Sequence, residues 1–353
     1  MKITLKIKLF LYRFFSTSFG RNILHMLSFG VRVKNLNNSR KPKNYPFFVV
    51  ITTDTESGYV NAGERRVWQK ENPRAYSGYH YGMRNLMKIF DKHKIKTTFF
   101  LSTNCFSSRG KEYNLIKKEL ENIIKKGQEI GLHLHPDSDL ALQKELSKRF
   151  DATSAFFYDY KEKLSIIKAS KKLIEQNLGK SVVKNLISFR WGNWALDTDG
   201  AKALNKSGFK IDSSSTPGIN GHTNDSMRYD WSGVKSHYPW KLSTKNYQAT
   251  NHNNSNITEI PIATFDFFGL KLRADPVNSV LLNKAFLEYY RQINRLEKPF
   301  PFVVITHSSE ATNKDGQETQ ALKDLDAFIN FAKKQKNVEF VTLGQAYEKL
   351  TIS

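Results

Sequence analysis

Two short motifs carry the residues whose types and spacing could do chemistry. The first, Phe47-Phe48-Val49-Val50-Ile51-Thr52-Thr53-Asp54-Thr55-Glu56, runs an apolar strand into two carboxylates spaced i, i+2. Side chains two apart on a strand share a face, so one edge of the sheet carries an acidic pair. The second, Ile130-Gly131-Leu132-His133-Leu134-His135-Pro136-Asp137, repeats the design with imidazoles. Carboxylate and imidazole are ligands for a borderline divalent ion at about 2.0–2.2 Å, and a catalytic site leaves one position open. Asp54, Glu56, His133 and His135 supply three such ligands and leave one acid over. The spare acid would act as base toward water, and Arg190 would hold it ionised and oriented. His307 would protonate the departing group from the far side. That is machinery for hydrolysing an amide or an ester. Singly, each residue has a plainer role, as a rim histidine, a loop-capping acid or a salt-bridge partner. Their order along the chain favours the joint reading.

Residues so far apart in sequence meet only if the strands carrying them share one rim. Strands are expected at Phe47 to Thr53, Lys96 to Leu101, the segment bearing His133 and His135, Leu186 to Arg190, Lys210 to Asp212, Ile257 to Ile262, Phe302 to Thr306 and Val338 to Leu343. Helical spacing falls between them, at His80 to His93, Lys111 to Lys126 with Gly127 as its cap, Tyr158 to Asn177, Thr198 to Lys206, Val280 to Arg295 and Gln317 to Lys336. This alternation predicts a parallel (β/α) barrel or a doubly wound sheet. In a barrel the functional side chains stand at the C-terminal ends of different strands, where Asp54, His133, Arg190 and His307 all fall. The polar, aromatic-rich stretch Ser57 to Tyr79 reads as a loop able to cover a substrate. Asn251 to Asn256, rich in asparagine, reads as a surface loop.

With 353 residues, 39% hydrophobic and 25% charged, the chain has the composition of a globular protein and room for one large barrel with extensions. Its single cysteine, Cys105, excludes an internal disulfide and any cysteine-based zinc site. The formal net charge of +22, from 55 Lys and Arg against 33 Asp and Glu, would attract anionic membranes, acidic glycans or nucleic acid. The lysines are scattered along amphipathic patterns, which suits solvated helix faces, and no nucleic-acid-binding signature accompanies them, so nucleic acid is not expected as a partner. Residues 1–34 are basic and apolar, with Arg13 interrupting the apolar run, and read as an amphipathic segment for an anionic membrane surface. Asn35 to Tyr45 reads as a linker. The expected organisation is therefore residues 1–44 as an N-terminal segment and residues 45–353 as the barrel.

These motifs resemble those of the polysaccharide deacetylase family, the NodB-homology barrels of carbohydrate esterase family four. Thr53-Asp54-Thr55-Glu56 resembles the acidic first motif, and Gly127-Gln128-Glu129-Ile130-Gly131-Leu132-His133 the histidine motif. Ser188-Phe189-Arg190 resembles the arginine motif, Gly208 to Ser214 the fifth strand, and Ile305-Thr306-His307 the final histidine motif. The resemblance implies a distorted (β/α)7 barrel and metal-dependent removal of acetyl groups from N-acetylated sugars, with zinc as the expected ion and cobalt, nickel or manganese as substitutes. It makes Asp54 the catalytic base, Arg190 its orienting partner, His307 the catalytic acid, and Glu56 and His133 metal ligands; the second histidine of the family stands at +4, and here His135 at +2 is the candidate third ligand. Trp191-Gly192-Asn193-Trp194 stands where the family has a proline-bearing stretch, and Trp191 and Trp194 are candidates for stacking on sugar. The expected setting is surface-glycan biosynthesis, in the cytoplasm or at the inner face of the membrane. A different metallohydrolase, of amidohydrolase type, and a non-catalytic glycan- or membrane-binding protein on the same barrel are the competing readings.

Overall fold

The computed structural model describes residues 14, 45–61, 64–67, 72–221, 228–251, 254–267, 269–293 and 298–351. Apart from residue 14, the basic N-terminal segment and most of the linker lie outside them. In chain order the elements begin β1 (Phe47–Thr55), α1 (Met83–His93), β2 (Thr98–Ser102), α2 (Gly110–Lys125), β3 (Glu129–Leu134), α3 (Leu140–Leu146), α4 (Tyr160–Leu178) and α5 (Lys180–Lys184). They continue with β4 (Ser188–Trp191), α6 (Thr198–Lys206), β5 (Ile211–Asp212), β6 (Asn220–Gly221), β7 (Tyr229–Asp230), β8 (Trp240–Lys241), β9 (Thr258–Glu259), β10 (Thr264–Phe267) and β11 (Leu270–Arg273). The last are α7 (Val280–Ile293), β12 (Phe300–His307), α8 (Gln320–Ala332), β13 (Val338–Phe340) and α9 (Leu343–Thr351).

The main sheet runs β12-β1-β2-β3-β4-β5-β9-β8, and every pairing is parallel except that of β8 with β9. A parallel bridge from Ile262 to Val303 then returns the sheet to β12 and closes seven parallel strands into a distorted barrel. β13 pairs with the beginning of β1.

Alternation along each strand sorts side chains between two apolar layers. Phe47, Val49 and Ile51 join the large core beneath the helices, together with Phe99, Leu101, Leu132, Phe189, Phe302 and Val304. Phe48 and Val50 point the other way, into the barrel, with Phe100, Ile211, Ile260, Ile262, Val303 and Ile305. Strands buried on both faces read as continuous apolar runs, which is why β1 and β12 are so plain in the sequence. The same parity carries Asp54, Arg190, His133 and His307 to the inner face, one step above the apolar plug. At the opposite end, Leu343 and Ala346 of α9 fill the barrel floor, held by Leu343 N–H donating to Thr98 Oγ1 at 2.8 Å.

Local rules account for the helices around the barrel. α1 buries Met83, Leu86, Met87 and Phe90, a single helical face, and each such side chain contributes about 1.5–3 kcal/mol. α4 starts at a capping box in which Asp159 and Glu162 satisfy each other's backbone N–H groups. α2 ends through Gly127, whose φ of +67° lets its N–H and that of Gln128 turn back onto Ile124 and Ile123 carbonyls.

Two expectations change. β3 stops at Leu134, because Pro136 has no N–H for a ladder and the chain turns over His135, whose carbonyl accepts from Ser138 and Asp139. The expected strand from Val338 ends at Phe340, and Leu343 already opens α9. The short pair β6–β7 and the antiparallel β8 give no signal of their own in the sequence, whereas the hairpin β10–β11, absent from the expected strands, alternates in Phe265-Asp266-Phe267 and Leu270-Lys271-Leu272-Arg273 about Gly269.

Candidate active site

Strand register brings the reactive residues together. Asp54 is the direct cross-strand partner of His307, and His133 that of Arg190. His135 follows one residue beyond β3 and rejoins the same cluster from the loop. Six residues from four separate strands and one loop thus meet at the C-terminal mouth of the barrel.

Arg190 is wholly buried and is the organising cation. Its Nη1 donates to Asp54 Oδ1 at 2.6 Å, while Nε and Nη2 donate to the Ser213 carbonyl and hydroxyl at 2.8 and 3.1 Å. The Phe100 ring lies beneath it, 4.4 Å from ring centroid to guanidinium carbon. Each of its three nitrogens is engaged, so Asp54 is fixed through one oxygen while Oδ2 faces His133 Nε2 at 3.8 Å.

His133 Nδ1 lies 3.0 Å from the Arg190 carbonyl, which only accepts, so Nδ1 carries the proton and Nε2 presents a lone pair. That Nε2 stands 3.0 Å from His135 Nε2 and 3.2 Å from Glu56 Oε1, and His135 Nε2 is 3.1 Å from the same oxygen. A triangle of donors with those edges leaves every corner about 2.0–2.2 Å from a common point, the bond length of zinc to nitrogen and oxygen. The residues therefore fit a divalent ion in both donor chemistry and spacing. Burial would raise the Glu56 carboxyl, but His307, His133 and His135 outweigh it and hold it well below the usual carboxylate range. His135 is shifted upward: burial opposes its charge, and Glu56, with Asp137 and Asp54 behind it, prevails.

On the facing strand, His307 Nδ1 meets Glu310 Oε2 at 3.0 Å. Burial disfavours the imidazolium, yet the Glu310, Glu56 and Asp54 carboxylates carry its pKa up to about 10. Asp275, two residues past β11, belongs to the same group of carboxylate and imidazole atoms, within 4.8 Å of His307 and Glu310. It also accepts from Arg66 Nη2 at 2.7 Å, which ties the segment after β1 to the rim. A π-helical turn, Gly78–Gly82, completes that segment, and its backbone comes so close that a Cβ on Gly78 would lie 2.2 Å from the Glu56 carbonyl. The stretch expected to cover a substrate thus also braces the acidic strand end.

Of the residues named from sequence, Asp54, Glu56, His133, His135, Arg190 and His307 are gathered here. Trp191 is a correction. Its neighbour Arg190 points inward, so Trp191 points outward, fully buried against Phe189 with Nε1 donating to the Thr153 carbonyl at 2.7 Å; no face is open to a sugar. Trp194 does reach the barrel mouth, where it packs on the inner core. Glu310, Asp275 and Ser213 were missed. Glu310 sits i+3 from His307 and had a readable spacing; Asp275 and Ser213 had none.

Among solved structures, a chain from Mycobacterium smegmatis assigned as a polysaccharide deacetylase is 15% identical, covers 91% of this chain and 96% of its own, and superposes with a TM-score of 0.57. One from Pseudomonas aeruginosa PAO1 with the same assignment is 11% identical over 90% and 94%, with a TM-score of 0.55. The fold is that of the polysaccharide deacetylases. An allantoinase has it too, at 12% identity over 91% and 95% with a TM-score of 0.56, so the polysaccharide deacetylase fold serves more than one substrate. No protein-family model and no curated protein sequence matches the chain.

Proposed function

We propose that the chain is a metal-dependent hydrolase that removes the acetyl group from an N-acetylated sugar. The observation that carries this reading is the Glu56–His133–His135 donor triangle beside an Asp54 carboxylate clamped by Arg190. Glu56, His133 and His135 would hold the ion, which supplies Lewis acidity toward the acetyl carbonyl and toward water. Asp54 Oδ2, the oxygen not used by Arg190, accepts the proton of the attacking water. His307, kept as imidazolium by Glu310, donates a proton to the departing amine nitrogen across the mouth. Arg190 holds the base in place and spends no charge on substrate. The deacetylase assignments of two fold neighbours support a sugar amide over other amides.

We extend the reading to surface-glycan biosynthesis on the inner side of a membrane, an extension that rests on the basic residues 1–34. No helix among the described residues is long and apolar enough to cross a membrane. Fractionation of the full chain at low salt tests that part, and recovery wholly in the soluble fraction would remove it. The activity is tested by acetate release from N-acetylglucosamine oligomers, with allantoin as control. Acetate from the sugars alone is the expected result. Turnover of allantoin alone would favour the non-sugar amide reading, which the allantoinase neighbour supports.

A further inference from the structure

The barrel mouth holds a cation that the hydrolytic machinery does not use. Arg273, the last residue of β11, lays its guanidinium over the Trp194 indole, 3.6 Å from carbon to ring centroid. Trp194 is fixed by packing on the inner core and by the edge of Tyr229 at 5.6 Å, and its backbone sits at φ +56°, an uncommon conformation for a bulky residue. Among the described residues the Arg273 side chain has no carboxylate and no hydrogen-bond acceptor, and its Nε is shut away from solvent without a partner. A half-buried guanidinium with five donors and no acceptor is an unmet demand for anionic oxygen.

Its position relates that demand to the site. Arg273 and Asp275 lie two apart on an extended segment, hence on one side of it, and Asp275 is within 4.8 Å of His307 and Glu310. Ala274, between them, has its carbonyl hydrogen-bonded to Ile305 N–H, two residues before His307. On the other flank, Trp194 follows Gly192, whose Cα lies against the His135 imidazole. The Arg273–Trp194 contact therefore spans from the His307 flank to the His135 flank. The formal net charge of +22 would draw acidic substrates toward it.

We propose that Arg273, held flat by Trp194, binds an anionic group, carboxylate or phosphate, carried by the sugar whose acetyl group is removed. The inference rests on the deacetylase reading and narrows it to acidic sugars. Trp194 then acts as the platform for an arginine, since the guanidinium occupies one face of its indole.

The test compares acetate release from N-acetylglucosamine, N-acetylglucosamine 1-phosphate and N-acetylmuramic acid by the metal-loaded full chain, wild type beside Arg273→Gln and Arg273→Lys. A charge-assisted, forked contact predicts kcat/KM about 10- to 100-fold higher for an anionic sugar than for the neutral one, expressed mainly in KM. The ratio should fall toward one in Arg273→Gln and recover in part in Arg273→Lys. Preference for the phosphate or for the carboxylate tells the two sources apart. A wild type that treats all three sugars alike overturns the proposal without reference to any variant, as does an unchanged ratio in folded Arg273→Gln. If no sugar releases acetate, the deacetylase reading fails, and calorimetric titration with N-acetylglucosamine 1-phosphate decides the rest. Binding lost in Arg273→Gln sustains an anion site, and absence of binding to wild type ends it.

Discussion

Gly192→Ala isolates the metal site from every charge in it. The backbone of Gly192 is not in the left-handed region, so alanine meets no conformational penalty there, and the effect is steric. A Cβ built on it lies 2.4 Å from the Leu134 carbonyl oxygen and 2.7 Å from both Cδ2 and Nε2 of His135. Ordinary contact begins at about 3.5 Å, so the ring must yield by about 0.8 Å and the strand end by about 1.1 Å. Metal–ligand distances tolerate roughly 0.2 Å, so the shift removes His135 Nε2 from the triangle or bends it out of line. Misplacing a ligand in this way costs about 10- to 100-fold in metal affinity. Overpacking lowers metal-free stability by about 1–3 kcal/mol as well. Competition against a chelating indicator measures affinity, and urea unfolding with chelator present measures the stability cost separately. Affinity within twofold of wild type in folded Gly192→Ala would refute the assignment of His135 Nε2 as a ligand.

Three further variants separate the roles of the remaining residues. Asp54→Asn should keep the metal and lose about 10²–10⁴-fold in kcat, since a base is removed while the donor triangle stays; normal turnover would reassign the base. Arg190→Met leaves Asp54 buried without its cation and should lower metal-free stability by about 3–5 kcal/mol in urea unfolding, and a change under 1 kcal/mol would deny the pairing its structural weight. Glu310→Gln removes the largest favourable influence on His307, so the basic limb of the kcat/KM profile should move to lower pH relative to wild type, and superimposable limbs would free His307 from the acid role. The sign for stability agrees. A histidine raised from 6.5 to about 10 stabilises the fold fully below pH 6.5 and loses that contribution as pH rises through about 10, so the two proteins should converge in stability above that value.

The chemistry-bearing residues were legible because the strands that carry them are buried on both faces. β1 and β12 appear as unbroken apolar runs, each ending in the residue of interest, and their alternation places Asp54 and His307 on one inner face. That alternation also contained an answer left unread. With Arg190 inward, Trp191 had to face the helices, and its aromatic character alone suggested a sugar platform that the pleat forbids. His135 shows the opposite case, since it leaves the strand at Pro136 and reaches the donor triangle through the turn, which i, i+2 spacing on a strand does not describe. The two-residue strands β6, β7 and β8 are too short to show a period, whereas the hairpin β10–β11 alternates in Phe265-Asp266-Phe267 and Leu270-Lys271-Leu272-Arg273 and lay within reach of sequence reasoning. Asp275, and Arg273 whose indole partner comes from another strand end, depend on where that hairpin falls, and such a pairing is invisible until the barrel closes through Ile262 and Val303. Glu310 lay within reach of sequence reasoning, three residues after His307.

Metal content by elemental analysis of protein purified without chelator, wild type beside His133→Ala, tests the central claim most directly. The Glu56, His133 and His135 triangle predicts about one divalent ion per chain, most readily zinc, in the wild type and close to none in the variant. An equal metal content in both would place the ion elsewhere, and no metal in either after reconstitution would contradict the hydrolase account and favour a glycan-binding barrel.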